Sequence, residues 1–382
     1  MVFNPHFLRY EEEHLQTLGV TDAYQRLFID KGALITTPFH VAANRFRELH
    51  REALLTQGKG LGRHGSCGMG IGETVSDALL DPTWAIRVGD LDNPSTLRMK
   101  LQRTQGLKLE EFRTLYANLK IDGRLAEKLR DELGLLEDSL LVDDCMEEYY
   151  TLFGPRGVRA VDQNYLEKAL ESGTTVFEGA QGVLLDEEWG FHPHTTWSNC
   201  TFGNALSLLQ GFSGEVSRIG VTRAYHTRHG AGPFPTQDKN GRVIDHNTTG
   251  AWQGDFRVGF YDFVLARYAR KILGKLDEVV VGHLDQVQGP QKVCFRYDCS
   301  TKPFYRILPS ANTWEVYMKL QRMFDEEGTS YEHFLDVYGN PVFTTIPDVD
   351  SLISRISKTM RAPVTLISYG PTTEDKESVC RR

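Results

Sequence analysis

The 382-residue chain contains no apolar run approaching the eighteen or so residues that a membrane-spanning helix needs. Residues 1–16 are polar, lacking both the apolar core of a secretory signal and the basic bias of a transit peptide. The cytoplasm is therefore the expected compartment, and no membrane partner is expected. Cysteine is scarce: six residues, at 67, 145, 200, 294, 299 and 380, form no C-x-x-C pair, which excludes a disulfide framework and a zinc ribbon. Reduced thiols are expected. An excess of positive charge is also missing. Lys and Arg number 43 against 51 Asp and Glu, a formal net charge of -8, and the cations are dispersed, so nucleic acid is not an expected partner. Internal repeats and low-complexity segments are absent as well. What remains, 40% hydrophobic and 25% charged residues, is the composition of an ordinary globular chain.

Short β-branched runs separated by longer helical stretches predict an α/β fold, with a mainly parallel central sheet and flanking helices. Strands are expected in residues 174–177, 215–222, 278–284 and 363–368, with Phe177, Val221, Val281 and Ile367 on central strands. Helical periodicity places Val41, Ala42, Phe46, Leu49 and Ala53 on one face of residues 39–55. It recurs over residues 263–273 and over 348–360, where Asp348 is placed as a cap for a stripe of Leu352, Ile353 and Ile356. Residues 93–154 read as almost wholly helical, with Pro94 near the first turn and breaks around Gly106, Gly123 and Gly134. The expectation is one domain over residues 1–382 with this helical subdomain as an excursion.

Three segments carry chemistry. Gly65-Ser66-Cys67-Gly68-Met69-Gly70 follows a basic stretch, and its glycines let a backbone turn several N–H groups toward one anion while Ser66 adds a hydroxyl. The same pattern also suits a surface turn. Glu178-Gly179-Ala180-Gln181-Gly182 is expected to follow a strand, delivering the two-way hydrogen-bonding amide of Gln181 to the carboxyl edge of the sheet, with Thr195, Thr196, Ser198 and Asn199 close behind. Such an amide can read a purine, or simply cap a turn. Residues 221–236 feed a Gly/Pro loop carrying Arg223, Arg228, His226 and His229, a set suited to an anionic nucleotide. Metal ligation by His192, His194, His226 and His229 is disfavoured, because no H-E-x-x-H motif or cysteine partner accompanies them.

These blocks, together with Arg87-Val88-Gly89-Asp90-Leu91, Thr248-Thr249-Gly250 and Ser368-Tyr369-Gly370-Pro371, resemble the adenylosuccinate synthetase family in that family's order, over roughly residues 2–376. The resemblance implies a cytoplasmic, homodimeric, GTP-dependent ligase using magnesium (Mg2+). Such enzymes phosphorylate the 6-oxygen of the purine nucleotide IMP, and the amino group of the amino-acid substrate aspartate then displaces that phosphate. By position, Gln181 would contact the purine and Thr196 the nucleotide phosphate. Ser66 and Cys67 stand where the family has a Thr-Thr pair on the same phosphate. For GTP, Gly282-His283-Leu284-Asp285 matches a Thr-Lys-Leu-Asp strand end, so Asp285 would accept from the guanine edge beside His283. Ser368 and Gly370 match a second base-contact loop. Thr248, Thr249, Gly250 and Arg257 fall in the loop that holds the amine substrate.

Two departures shape the expectation. The family's opening strand and Gly-Asp-Glu-Gly-Lys-Gly-Lys loop, which hold its catalytic Asp, catalytic His and magnesium ligands, find no counterpart, so no catalytic or metal-ligating residue is assigned and the chain as written is not expected to turn over. After Gly250 the arginine-rich run is replaced by Ala251-Trp252-Gln253-Gly254-Asp255-Phe256, with Arg257 alone remaining. Residues 77–83 likewise lack the arginine that the family lends to its partner subunit. The alternatives are an enzyme of the family recorded without its first segment, a paralogous ligase using another amine, and an inactive nucleotide-binding homologue.

Overall fold

The structure is a computed structural model that describes residues 1–60, 62–192, 194–240, 247–298 and 340–379. Cys299 and Cys380, noted above, and Pro193 lie outside the described residues. Two compact units are present, Met1–Val176 and Phe177–Arg382.

In the first unit, β1 (Val2–Phe3) pairs in parallel with β3 (Leu34–Ile35), and β2 (Phe28–Asp30) with β4 (Arg159–Val161). Its helices are α1 (Pro5–Thr17), α2 (Pro38–Thr56), α3 (Ile71–Leu80), α4 (Pro94–Ala117), α5 (Gly123–Glu137), α6 (Leu141–Leu152) and α7 (Asn164–Ser172). The start of α2 is fixed chemically: the Thr37 side chain accepts the His40 N–H, His40 Nδ1 accepts the Thr37 N–H at 3.0 Å, and Pro38 occupies the first turn. Phe39, Ala42, Ala43, Phe46, Leu49 and Ala53 bury one face of α2, against which α5 and α4 pack. A buried ion network joins α2, α3 and α4. Lys108 Nζ donates to Glu73 Oε2 at 2.8 Å and to Asp77 Oδ1 at 2.7 Å, while Arg47 meets Glu73 from the other side. Burial opposes charge on Glu73, but Lys108 and Arg47 outweigh it and hold the carboxyl below its ordinary range.

The second unit is built on the four-stranded sheet β13-β12-β9-β5, comprising β5 (Ile219–Arg223), β9 (Glu278–Gly282), β12 (Val364–Ser368) and β13 (Lys376–Ser378). Strands β5, β9 and β12 run parallel, and β13 is antiparallel at one edge. The strands β6 (His226–His229) and β7 (Phe256–Gly259) form an antiparallel pair. A third sheet has the order β11-β10-β8, from β8 (Tyr261–Asp262), β10 (Gln291–Tyr297) and β11 (Pro341–Ile346). Three helices complete the described elements: α8 (Gly203–Leu208), α9 (Phe263–Leu273) and α10 (Val349–Met360). The Asp348 side chain caps α10 by accepting the Ser351 N–H at 2.8 Å. Leu352 and Ile356 of α10 are fully buried with Val279, Val281 and Phe263, each worth about 1.5–3 kcal/mol of apolar burial. No helix among the described residues is long and apolar enough to cross a membrane.

The α/β class, the helical stretch and the three long helices match expectation, and four points differ. Residues 174–177 form no strand: Val176 is 83% exposed, and with no neighbouring ladder to join among the described residues, the segment leaves Phe177 outside any described sheet. Val221 lies on the edge strand β5 of its sheet and is 78% exposed, so it is not central. Gly106 and Gly134 do not break their helices. A mid-helix glycine costs about 1 kcal/mol relative to alanine; here Leu101 and Phe112 bury the helix either side of Gly106, and Leu133 and Leu136 flank Gly134.

Candidate functional site

In the first unit, the Gly65–Gly70 segment lies against α2 and leads into α3. Gly65, Gly68 and Gly70 hold φ values of 77°, 72° and 79°, a left-handed conformation that glycine adopts without steric cost. At Gly70 there is a second requirement: a Cβ would stand 2.7 Å from the backbone of His40 and Val41. Three α2 side chains pin the segment. Asn44 Nδ2 donates to Ser66 Oγ at 2.9 Å, and Asn44 Oδ1 accepts the Gly70 N–H at 3.2 Å. Glu48 Oε2 accepts the Gly65 N–H at 3.0 Å, and Arg45 Nε donates to the Gly68 carbonyl at 3.2 Å. Ser66 is half-buried and Cys67 exposed. The loop is thus a rigid cradle ending at the positive pole of a ten-residue helix, a place where anions are favoured.

In the second unit, Gln181 is not carried by a strand. It sits in the left-handed region at φ 56°, exposed, with its Oε1 facing the Cys200 thiol at 3.8 Å. The organising residue is Asp186, fully buried, whose Oδ1 accepts the N–H groups of Glu188 and Trp189 while Oδ2 accepts that of Cys200 at 2.6 Å. The Thr196 N–H donates to the Leu185 carbonyl at 2.8 Å and the Glu187 N–H to the Ser198 carbonyl, so residues 181–190 and 194–200 form one folded loop. Gln181 and Thr196 are therefore held in one construction, by backbone bonds that no motif displays.

The carboxyl ends of the parallel strands assemble the third group. Ile367 of β12 is in register with Val281 of β9, which sets Ser368 level with Gly282, and β12 also touches the 284–286 turn, so Ser368 with Gly370 and His283 with Asp285 end on the same edge of the sheet. His283 adopts φ 60° and opens a short 3-10 turn, Leu284–Gln286, that leaves Asp285 exposed, with its Oδ2 accepting from Gln286 Nε2 at 2.6 Å. Tyr225, just past β5, reaches His283 Nδ1 at 3.4 Å. Ser368 is buried and donates to the Gly370 carbonyl at 2.9 Å, and a Cβ on Gly370 would collide with Asp375.

The fourth group centres on two arginines. Arg228 and Arg257 face each other across β6 and β7. Arg257 Nη2 donates to the carbonyls of Gly230 and Gly232 at 2.6 and 2.8 Å, whereas Arg228 Nε donates to the Ala231 carbonyl at 2.8 Å and Nη2 to that of His194 at 3.2 Å. Burial, reinforced by the Arg257 charge, pulls Arg228 down to about 10. Gly232 sits at φ 101°, a left-handed conformation that favours glycine, close against the Arg228 guanidinium. In residues 248–257, Thr249 Oγ1 donates to Asp255 Oδ1 at 3.0 Å and a Gly250–Gly254 bridge closes the turn. Burial also drives His226 down to about 4, keeping it a neutral ring against Tyr261. Sequence reasoning missed Asn44, which lies inside a helix whose only visible signal was its apolar face.

Comparison with known proteins adds a further observation. A family model described as adenylosuccinate synthetase matches residues 1–376. The adenylosuccinate synthetase of Methylibium petroleiphilum is 31% identical over 394 residues, covering 98% of this chain and 80% of the relative. That of Chlorobium limicola is 29% identical over 396 residues, with 98% and 80% covered. Among solved structures, the fully ligated adenylosuccinate synthetase from Plasmodium falciparum superposes with a TM-score of 0.66 at 19% identity, covering 100% of this chain and 83% of that one, a likeness of fold.

Proposed function

The chain belongs to the adenylosuccinate synthetase family of ligases, and on that premise we propose that it joins an amine to C6 of a purine nucleotide, with GTP as phosphoryl donor and IMP and aspartate as the family's reference substrates. The observation that carries the reading is the cluster of His283, Asp285, Ser368 and Gly370 at the carboxyl edge of β9 and β12, where open parallel sheets bind ligands. An exposed carboxylate there can accept both N–H groups of a guanine edge. Although Gln286 occupies one lone pair of Asp285, each carboxylate oxygen has two.

The chemistry divides into two balanced steps. The γ-phosphoryl group of GTP passes to the purine 6-oxygen as the purine N1 proton is lost to water, releasing GDP and converting a poor leaving group into a good one. The amine then forms a bond to C6 and gives up one proton to water as the C6–O bond breaks and phosphate departs. This chain's residues bind and orient: in the first unit the loop amides and Ser66 are offered to the nucleotide phosphate, and in the second unit Thr196 offers a hydroxyl to a phosphate while Gln181 offers both a donor and an acceptor to a base. Mg2+ in such reactions is ligated largely by nucleotide phosphates and water. Among the described residues no group of three or more His, Cys, Asp or Glu side chains is placed to hold it. We place the enzyme in the cytoplasm as a homodimer, a state that sedimentation would read directly.

A second reading, another amine in place of aspartate, is favoured by the loop that follows Gly250. Arg257 is directed at the carbonyls of Gly230 and Gly232, and Asp255 adds a negative charge on Thr249. Both features disfavour a dicarboxylate. The nucleotide assignment is tested by Asp285→Asn, which presents a donor and an acceptor where the wild type presents two acceptors. GTP affinity is expected to fall by about ten-fold or more, as the loss of a charged hydrogen bond implies, and xanthosine triphosphate binding to rise. Unchanged preference in calorimetry would remove Asp285 from the site.

A further inference from the structure

We propose that Asn44 sets the direction of the Ser66 hydroxyl and thereby makes the Gly65–Gly70 cradle a donor to a nucleotide phosphate. The inference rests on the reading above in which this loop holds the purine nucleotide's phosphate. The argument begins with a group that has no choice. The backbone N–H of Gly70 can only donate, so the Asn44 atom 3.2 Å from it is the amide oxygen. The opposite end of the same planar amide, 2.9 Å from Ser66 Oγ, is then the NH2 group, which can only donate. Ser66 Oγ is the acceptor in that bond, and its own hydrogen must point elsewhere. Among the described residues the hydroxyl makes no other hydrogen bond. An anion in the cradle is the partner that this leaves open.

The surroundings keep the arrangement from relaxing. Asn44 and Glu48 are one turn apart on α2, so the bonds to Ser66, Gly70 and Gly65 come from one face of a helix whose other face is core. Arg45 fixes the Gly68 carbonyl between them. Gly70 is pressed against the first turn of α2 too closely to carry a side chain. A hydroxyl free to rotate would split its time between accepting and donating. Here the donating state is selected before the ligand arrives, which lowers the ordering cost of binding. Asn44 does not touch the ligand in this scheme and is a positioning residue.

The test is a double-mutant cycle read by calorimetry with IMP and, as a control without phosphate, inosine. Asn44→Asp keeps an acceptor for the Gly70 N–H but draws the Ser66 hydrogen to itself, and Ser66→Ala removes the hydroxyl. Each single change is expected to weaken IMP by about ten-fold or more, with inosine unchanged and the melting temperature close to wild type. In the Ser66→Ala background the Asn44→Asp change should cost much less, because there is no hydroxyl left to turn. Effects that simply multiply would mean that the new charge acts alone, and would overturn the proposal. Normal IMP binding by Asn44→Asp beside weakened binding by Ser66→Ala would overturn it while leaving the phosphate site intact. If neither change affects IMP, the loop does not hold the phosphate and the underlying reading fails. Should Asn44→Asp not fold, the cycle is run with Asn44→Leu, for which coupling to Ser66→Ala is again expected and additivity again refutes.

Discussion

Glu132 on α5 is 8% exposed, and its Oε2 makes no hydrogen bond in a site from which water is largely excluded. Burial raises its carboxyl to about 7 against an ordinary 4.5, with Arg45 opposing the shift and Asp131 adding to it. Because the folded-state value lies above the unfolded one, the native protein binds the extra proton between about pH 4.5 and pH 7. Stability therefore falls as pH rises through that window and levels off above it. A carboxyl held at about 7 in place of 4.5 corresponds to roughly 3 kcal/mol, which solvent screening at a site not wholly sealed reduces to about 2 kcal/mol. Glu132→Gln keeps the shape and removes the titration. Urea unfolding should find the variant more stable than wild type by about 2 kcal/mol near pH 8 and nearly equal to it near pH 5. Parallel stability curves across the whole range, with no convergence on the acid side, would refute the reasoning and place the Glu132 carboxyl in water.

Asp186→Asn turns an amide NH2 toward the Cys200 N–H, setting donor against donor, so the loop carrying Gln181 and Thr196 should lose about 1–3 kcal/mol and purine nucleotide affinity should fall with it; wild-type affinity would separate that loop from the base. Calorimetry in the presence of nucleotide should find weak or no aspartate binding and tighter binding of an amine with one carboxylate or a less polar body, since Arg257 is engaged with backbone carbonyls and Trp252 and Phe256 precede it in the loop. Tight aspartate binding would restore the family's own substrate.

The readable parts of this protein were those governed by neighbours in sequence. The period of Phe46, Leu49 and Ala53, the cap at Asp348 and the β-branched run Val279-Val280-Val281 each follow from interactions within one element, and α2, α10 and β9 form where those patterns lie. The family blocks were legible for a related reason: chemistry that needs Gly-Ala-Gln-Gly or Gly-Ala-Gly-Pro-Phe-Pro-Thr tolerates few substitutes, so the words survive. Strand status was less legible, because a β-branched segment becomes a strand only if another lies beside it. Among the described residues, 174–177 have the composition and lack the partner, and β5 has a partner on one side alone. The tertiary structure alone decided which polar groups meet across long separations. Asn44 reaches Ser66 and Gly70, Asp186 reaches Cys200, and Ser368 comes level with the end of β9, just before His283 and Asp285, through the register of β12 on β9. Hydrogen bonds are set by distance and direction in space, and neither is written in the order of residues until packing of the apolar faces has brought the elements together.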